Sequence, residues 1–252
     1  MSESSTLWGL HYSPWTEKAR WALDHHGLRH RYREHTPLLG EPALRWRSRA
    51  RPPGRPASVP LLLDSGGVHL DSDEIARRAD ALGTGASLFP PDHDAALRRW
   101  IADADAALNA ARAIVIASIA SNPQAQSESL PRLIPGPLRG LFRGLARQGA
   151  VFLGRKYGSS EQALDAHART LEAFACSLQE ALEGGPYLLA QQFSYADIAA
   201  AMVVNGFLPP AHLFVDHPGT RACWTRDALA ARYADLGNWR DALYRDHRAR
   251  IF

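Results

Sequence analysis

Cysteine and lysine are nearly absent from this chain. The two cysteines, Cys176 and Cys223, stand far apart and form no C-x-x-C pair. That spacing argues against a disulfide framework and against a cysteine-based metal site. Lys18 and Lys156 are the only lysines, so arginine carries almost all the basic charge. The arginines are interleaved with Asp and Glu and the net charge is only +3. The concentrated basic face that nucleic acid requires is missing. No HExxH, GxGxxG or Walker loop occurs, and no histidine spacing suits a metal. Met1 to Thr6 is polar and lacks the regions of a secretory signal, and no apolar run is expected to span a bilayer. These absences lead us to expect a cytoplasmic protein that uses neither metal nor nucleic acid.

What is present is a chain with ample core material, since 46% of its residues are apolar and 22% are charged. The most informative stretch is Tyr12-Ser13-Pro14-Trp15-Thr16-Glu17-Lys18-Ala19-Arg20, which follows the apolar Leu7-Trp8-Gly9-Leu10. It reads as a strand that turns directly into a helix. Ser13 is a favoured N-cap, and Pro14 falls at the first helical position, where its missing N–H costs nothing. Such a place is either an ordinary helix start or a site for an anion or thiolate at the positive end of the helix dipole.

The pattern to residue 82 reads β-α-β-α-β-β-α. A strand over 28–35 and a short helix over 41–49 follow the first helix. A loop rich in breakers, Arg51-Pro52-Pro53-Gly54-Arg55-Pro56, leads into a strand over 59–64 with Pro60 at its start. Ser65-Gly66-Gly67 makes a hairpin, and Asp71-Ser72 opens a helix to Leu82. Gly83 to Ser87 has linker composition. Beyond it helices are expected over 95–119, 159–183, from Phe193 onward, 217–235 and 237–248. Ser194 and Asp197 have capping-box spacing. The expected organisation is an α/β domain over 1–83, a linker over 84–91 and an all-α domain over 92–252.

Taken together these landmarks resemble the cytosolic glutathione transferase superfamily, in the form of its serine-type bacterial members. The resemblance rests on Ser13-Pro14…Arg20, Val59-Pro60, Asp71-Ser72, Leu88-Phe89-Pro90 and Ser194-x-x-Asp197, and it spans nearly the whole chain. It implies a thioredoxin-like N-terminal domain followed by a helical bundle. It implies glutathione as co-substrate, a hydrophobic electrophile as second substrate near residues 100–116, and a homodimer. Ser13 would donate to the glutathione sulfur. Val59, before a cis Pro60, would pair with the cysteinyl backbone, and Asp71 and Ser72 would hold the γ-glutamyl end. Arg55 would stand in for the family's lysine at the glycyl carboxylate, although extra residues separate it from Val59. Tyr12 is a second hydroxyl, which strand alternation would turn away from Ser13.

Some features fall outside the resemblance. Residues 130–157 interleave Arg132, Arg139, Arg143 and Arg147 with Leu133, Leu138, Leu141 and Leu145. Such basic amphipathic segments either pack on a core or touch an anionic membrane surface. Should the fold be kept without turnover, the alternative is a binding protein that uses this segment for a partner or membrane. Cys176 falls in an apolar helical pattern and is expected in the core. His25 and His26 are expected at a helix C-terminus, where an imidazolium suits the dipole.

Overall fold

Ser5-Thr6-Leu7-Trp8-Gly9 forms the first strand, with Leu7 and Gly9 buried. The structure is a computed structural model that describes residues 5–36, 40–130, 144, 147–149, 151, 161–189 and 192–248. Strand β1 (Ser5–Gly9) lies between β2 (His30–Glu34), to which it is parallel, and β3 (Leu61–Asp64), to which it is antiparallel. Strand β4 (Gly67–Leu70) closes a hairpin with β3, so the sheet order is β2-β1-β3-β4. Register puts Trp8 opposite Leu61 and Leu61 opposite Leu70 on one face. Leu44 of helix α2 (Glu41–Arg47) packs on Leu61 and Leu70, with Trp8, Val59 and Val68 around it. Leu7 and Leu62, also opposite each other, are fully buried on the other face. Helices α1 (Pro14–His25) and α3 (Ser72–Leu82) pack together, and Ala19, Ala22, Ile75 and Ala79 are buried in them.

The described chain divides into two compact units. The first takes Met1–Arg98, Tyr187–Ile198 and Ala242–Phe252. Within it Trp21 of α1 is fully buried, lies 4.6 Å from the Tyr244 ring and donates through Nε1 to the His247 carbonyl at 3.0 Å. Arg248 reaches α1 from the far end of the sequence: its Nε meets Glu17 Oε1 at 2.8 Å and its Nη1 meets Asp24. The capping box is present. Asp197 Oδ2 accepts from the Ser194 backbone N–H and from the Ser194 hydroxyl, each at 2.8 Å, and Oδ1 accepts from Leu188 N–H at 2.8 Å.

The second unit comprises Arg99–Pro186 and Ala199–Asp241 and contains helix only among its described regular elements, apart from one isolated bridge elsewhere. Helix α4 (Asp94–Ser121) begins in the first unit, and α5 (Pro123–Glu128) follows it, capped by Asn122 Oδ1 at 3.0 Å. Helix α6 (Glu161–Leu182) and helix α7 (Tyr195–Asn205) come next. The helix expected over 217–235 is two, α8 (Pro218–Trp224) and α9 (Asp227–Arg232), before α10 (Ala234–His247). The break falls at Thr225, whose extended backbone lets Arg226 N–H donate to the Phe207 carbonyl at 2.9 Å.

Two expectations change here. The helix from Pro91 to Ser121 is 31 residues long with a window of mean hydropathy 1.3, so one apolar run is long enough to cross a membrane by length and composition. A core helix meets the same test, and Ala104, Leu108, Ala111 and Val115 in it are buried. Cys176 is not a core thiol. The buried stripe of α6 is Leu171, Phe174, Ala175 and Leu178, and Cys176 stands one residue off it, half-exposed, with Sγ 3.3 Å from Glu180 Oε1. The amphipathic segment 130–157 lies mostly outside the described residues.

Candidate functional site

The end of β1 and the start of α1 come together because Gly9 has no side chain. A Cβ at Gly9 would lie 2.2 Å from Thr16 Cγ2, and Thr16 Oγ1 accepts from Leu10 N–H at 3.2 Å. The first turn of α1 therefore sits directly on the strand end. Ser13 occupies the N-cap with extended backbone (φ −80°, ψ 125°), and its carbonyl accepts from Glu17 N–H at 3.0 Å. Its hydroxyl makes no capping hydrogen bond. Pro14 holds the first helical position, as its sequence position implies. The half-buried Ser13 hydroxyl is thus left available at the positive end of the helix.

The Val59-Pro60 peptide bond is cis. It directly precedes β3, whose neighbour in the sheet is β1, so the cis bond and the Ser13 turn belong to adjacent strands. At the start of α3, Asp71 adopts φ 82° and ψ 143°, a conformation that side chains rarely accept. Its Oδ1 accepts from Asp73 N–H at 3.2 Å and from the Ser72 hydroxyl at 3.4 Å. Asp71 is exposed and Ser72 is fully buried.

Arg55 is engaged within the protein. It donates to Glu74 Oε2 at 2.5 Å and to the Leu70 carbonyl at 3.1 Å. A guanidinium has five N–H donors, so these bonds leave donors over. The loop around it is shaped by Arg51, which donates to the Arg55 carbonyl at 2.7 Å and the Ser48 carbonyl at 3.0 Å. Arg49, Arg51, Pro52, Pro53, Gly54 and Arg55 line a cleft of about 280 Å³. Glu74 also lies 3.5 Å from His69 Nδ1, and His69 Nε2 lies 3.0 Å from Asp64. Burial would raise the Asp64 carboxyl, but hydrogen bonds from Arg78, His69 and Gly66 hold it below the usual carboxylate range.

A group that sequence reading missed lies beside the Ser13 turn. Residues 11 and 12 form a turn, not strand, so alternation says nothing about Tyr12. His11 Nδ1 is 3.0 Å from Glu34 Oε1, the His11 backbone N–H donates to that oxygen at 3.3 Å, and the Tyr32 hydroxyl donates to Oε2 at 2.5 Å. Burial pushes Tyr12 up, with Glu34 adding to it, so this phenol stays protonated. No local sequence signal finds this group, because His11 meets Glu34 only through the parallel pairing of β1 and β2.

Residues 12–82 match the family described as the glutathione S-transferase N-terminal domain. No curated protein matches the chain in sequence. Among solved structures, a glutathione S-transferase from Methylobacillus flagellatus with glutathione bound is similar at 18% identity, with 98% of this chain and 96% of that one covered and a TM-score of 0.58. One from Methylobacterium radiotolerans, in complex with glutathione sulfonate, is similar at 18% identity, 97% and 92% coverage and a TM-score of 0.62. The beta-etherase LigF of a Sphingobium species is similar at 23% identity, 94% and 99% coverage and a TM-score of 0.58. Residues 12–82 thus carry a glutathione S-transferase N-terminal domain, and the chain as a whole shares the fold of these solved structures.

The glutathione S-transferase N-terminal match begins at the Tyr12 turn and ends with α3, so it contains Ser13, Arg55, Val59, Pro60, Asp71 and Ser72. All six also fall within the first compact unit. His26 differs from expectation. It is buried, and burial first, then His25, lowers its pKa against the opposing pull of Asp80, which disfavours a charged cap. Its Nε2 lies 3.1 Å from Asp80 Oδ1, the oxygen that accepts from Leu88 N–H at 2.6 Å. Its backbone carbonyl accepts from Thr84 N–H at 3.4 Å, and it stands apart from the Ser13 turn.

Proposed function

We propose that this protein activates the thiol of glutathione for conjugation to a hydrophobic electrophile. The observation that carries the reading is the Ser13 hydroxyl, which holds the N-cap position of α1 without being used by the cap. In this role Ser13 is a hydrogen-bond donor to a thiolate, not a nucleophile. Lowering a thiol pKa by two units requires about 2.7 kcal/mol. One hydrogen bond to a charged sulfur supplies about 1.5–3 kcal/mol, and the helix dipole about 0.3–1 kcal/mol. The two suffice without a further charge.

The rest of the ligand follows the same unit. The Val59 backbone before the cis bond would pair with the cysteinyl portion. The Ser72 hydroxyl and the α3 amides would hold the γ-glutamyl carboxylate, and Asp71 its ammonium. The remaining donors of Arg55, at a cleft lined by three arginines, would meet the glycyl carboxylate. A homodimer in the cytoplasm belongs to the same reading.

The test is glutathione binding by calorimetry, with conjugation of a chlorodinitrobenzene, in wild type and Ser13→Ala. The expected result is retained binding with turnover reduced about 10²-fold or more in Ser13→Ala, the size of an electrostatic donor's contribution. Turnover unchanged by Ser13→Ala removes Ser13 from this role. Binding without turnover in either protein makes the chain a binding protein.

A further inference from the structure

We propose that His11, oriented by Glu34, is a catalytic acid–base residue of the thiol transfer, an inference that rests on the function proposed above. The placement comes first. Strands β1 and β2 are parallel and pair Gly9 with Glu34, so both end at the edge of the sheet from which α1 departs. In open α/β sheets this carboxyl edge is where ligands bind. His11 lies in the turn beyond β1, two residues before Ser13.

The geometry is that of a carboxylate–imidazole pair. Glu34 receives three donors: His11 Nδ1 at 3.0 Å, the His11 backbone at 3.3 Å and the Tyr32 hydroxyl at 2.5 Å. Burial would raise Glu34, yet the hydrogen bonds from His11 and Tyr32 outweigh it and keep the carboxyl ionised. An ionised carboxylate only accepts, so Nδ1 carries the hydrogen, and Nε2 is the ring nitrogen that Glu34 leaves unengaged. The backbone bond fixes the carboxylate relative to the same residue whose ring it orients. This is more order than a surface pair needs: the side chains of His11 and Glu34 are 49% and 44% exposed. An exposed ion pair adds little stability, whereas an accessible, oriented imidazole is suited to proton transfer.

The other ionisable groups around the pair do not compete as bases. Tyr12 meets the His11 ring edge-on at 5.1 Å, and Tyr32 carries the Arg20 guanidinium of α1 at 4.9 Å from its ring. Burial raises both phenols, Tyr32 further through Glu34 and Glu17, so both remain protonated. In the proposed sequence the thiol proton moves to His11 Nε2 in the glutathione complex, leaving a thiolate held by the Ser13 hydroxyl, and the thiolate electron pair then forms the new C–S bond. The bond from carbon to the leaving group breaks with its electron pair. The imidazolium then releases the proton to the leaving group or, where that group is a halide, to water.

The experiment compares wild type, His11→Gln and Glu34→Gln with glutathione and a chlorodinitrobenzene. His11→Gln should lower kcat about 10²-fold or more, remove the acidic limb of the kcat/KM profile and leave glutathione affinity within about threefold. Glu34→Gln should lower kcat with KM for glutathione unchanged. Calorimetry at neutral pH in buffers of different ionisation enthalpy gives a readout independent of turnover. His11→Gln should release more protons on binding glutathione than wild type, because the imidazole no longer retains the thiol proton. Wild-type binding and turnover with an unchanged His11→Gln profile and unchanged proton release overturns the role of His11 alone. Failure of wild type to bind glutathione overturns the proposed function and this inference with it.

Discussion

Arg248→Met is expected to be among the most destabilising single changes in the first compact unit. The Arg248 side chain is fully buried and bridges two carboxylates of α1, Glu17 and Asp24, which are themselves only 13% and 15% exposed. Burial opposes its charge, but Glu17 and Asp24 together hold the guanidinium even more firmly protonated than usual. Methionine fills much of the volume, so the cost is electrostatic: two largely buried carboxylates lose the guanidinium that bridges them, and Arg20 is the cation that stays near both. Removing one partner of a buried pair costs about 3–5 kcal/mol. The lower part of that range applies, because Arg248 Nη2 and Glu17 Oε2 lack hydrogen-bond partners among the described residues. Urea denaturation followed by tryptophan fluorescence suits the assay, since Trp21 is fully buried against Tyr244 and His247. Adding Asp24→Asn to Arg248→Met should restore part of the loss, since Glu17 and Arg20 then remain as one carboxylate and one cation. A loss below about 1 kcal/mol for Arg248→Met would refute the reasoning, because that is the worth of an exposed pair.

Three further outcomes are expected. Gly9→Ala should cost about 1–3 kcal/mol through overpacking against Thr16, and Thr16→Ala should recover most of it in the double variant, both read by thermal melting. Burial holds the Asp197 carboxyl at about 6, despite its bonds from Leu188 and Ser194. Its folded pKa is above the unfolded value, so its contribution to stability is complete below about pH 4 and fades as pH rises through about 6. Denaturation of wild type against Asp197→Asn across that window should therefore show the wild-type advantage shrinking by up to about 3 kcal/mol. Asp71→Gly should change stability by less than about 1 kcal/mol while lowering glutathione affinity about tenfold or more, read by denaturation and calorimetry.

Much of the N-terminal unit was legible because its signals are local. Ser13-Pro14 announces a helix start, Asp71-Ser72 another, and Ser194 with Asp197 a capping box, each within four residues. The apolar stretch of β1 and the hairpin at Gly66-Gly67 are local signals of the same kind. What escaped depends on pairing across long sequence separations. His11 meets Glu34 only once the register of two parallel strands is known. Arg55 meets Glu74, and Arg248 meets Glu17, for reasons that no window of sequence contains. Cys176 was misplaced because an apolar count ignores a single step of about 100° around a helix. The break at Thr225 was missed because its compensation, the Phe207 carbonyl, lies in another segment.

The energy balance at Asp71 bears on why a carboxylate stands there. A positive φ at a residue with a side chain costs about 1–3 kcal/mol. The cap that Asp71 supplies to α3 returns about 0.5–2 kcal/mol relative to a residue that cannot cap. Glycine would adopt φ 82° freely, and as an N-cap it falls short of aspartate by only a few tenths of a kcal/mol. Stability alone therefore gives no reason to prefer aspartate over glycine at this position. The strained backbone leaves the carboxylate exposed, with its described bonds both on Oδ1, next to the buried Ser72 hydroxyl. An exposed carboxylate kept at a conformational cost is what the proposed binding of a γ-glutamyl ammonium calls for. The same reasoning separates Asp71 from Asp197, whose buried carboxylate is fully engaged by its own cap and needs no ligand to explain it.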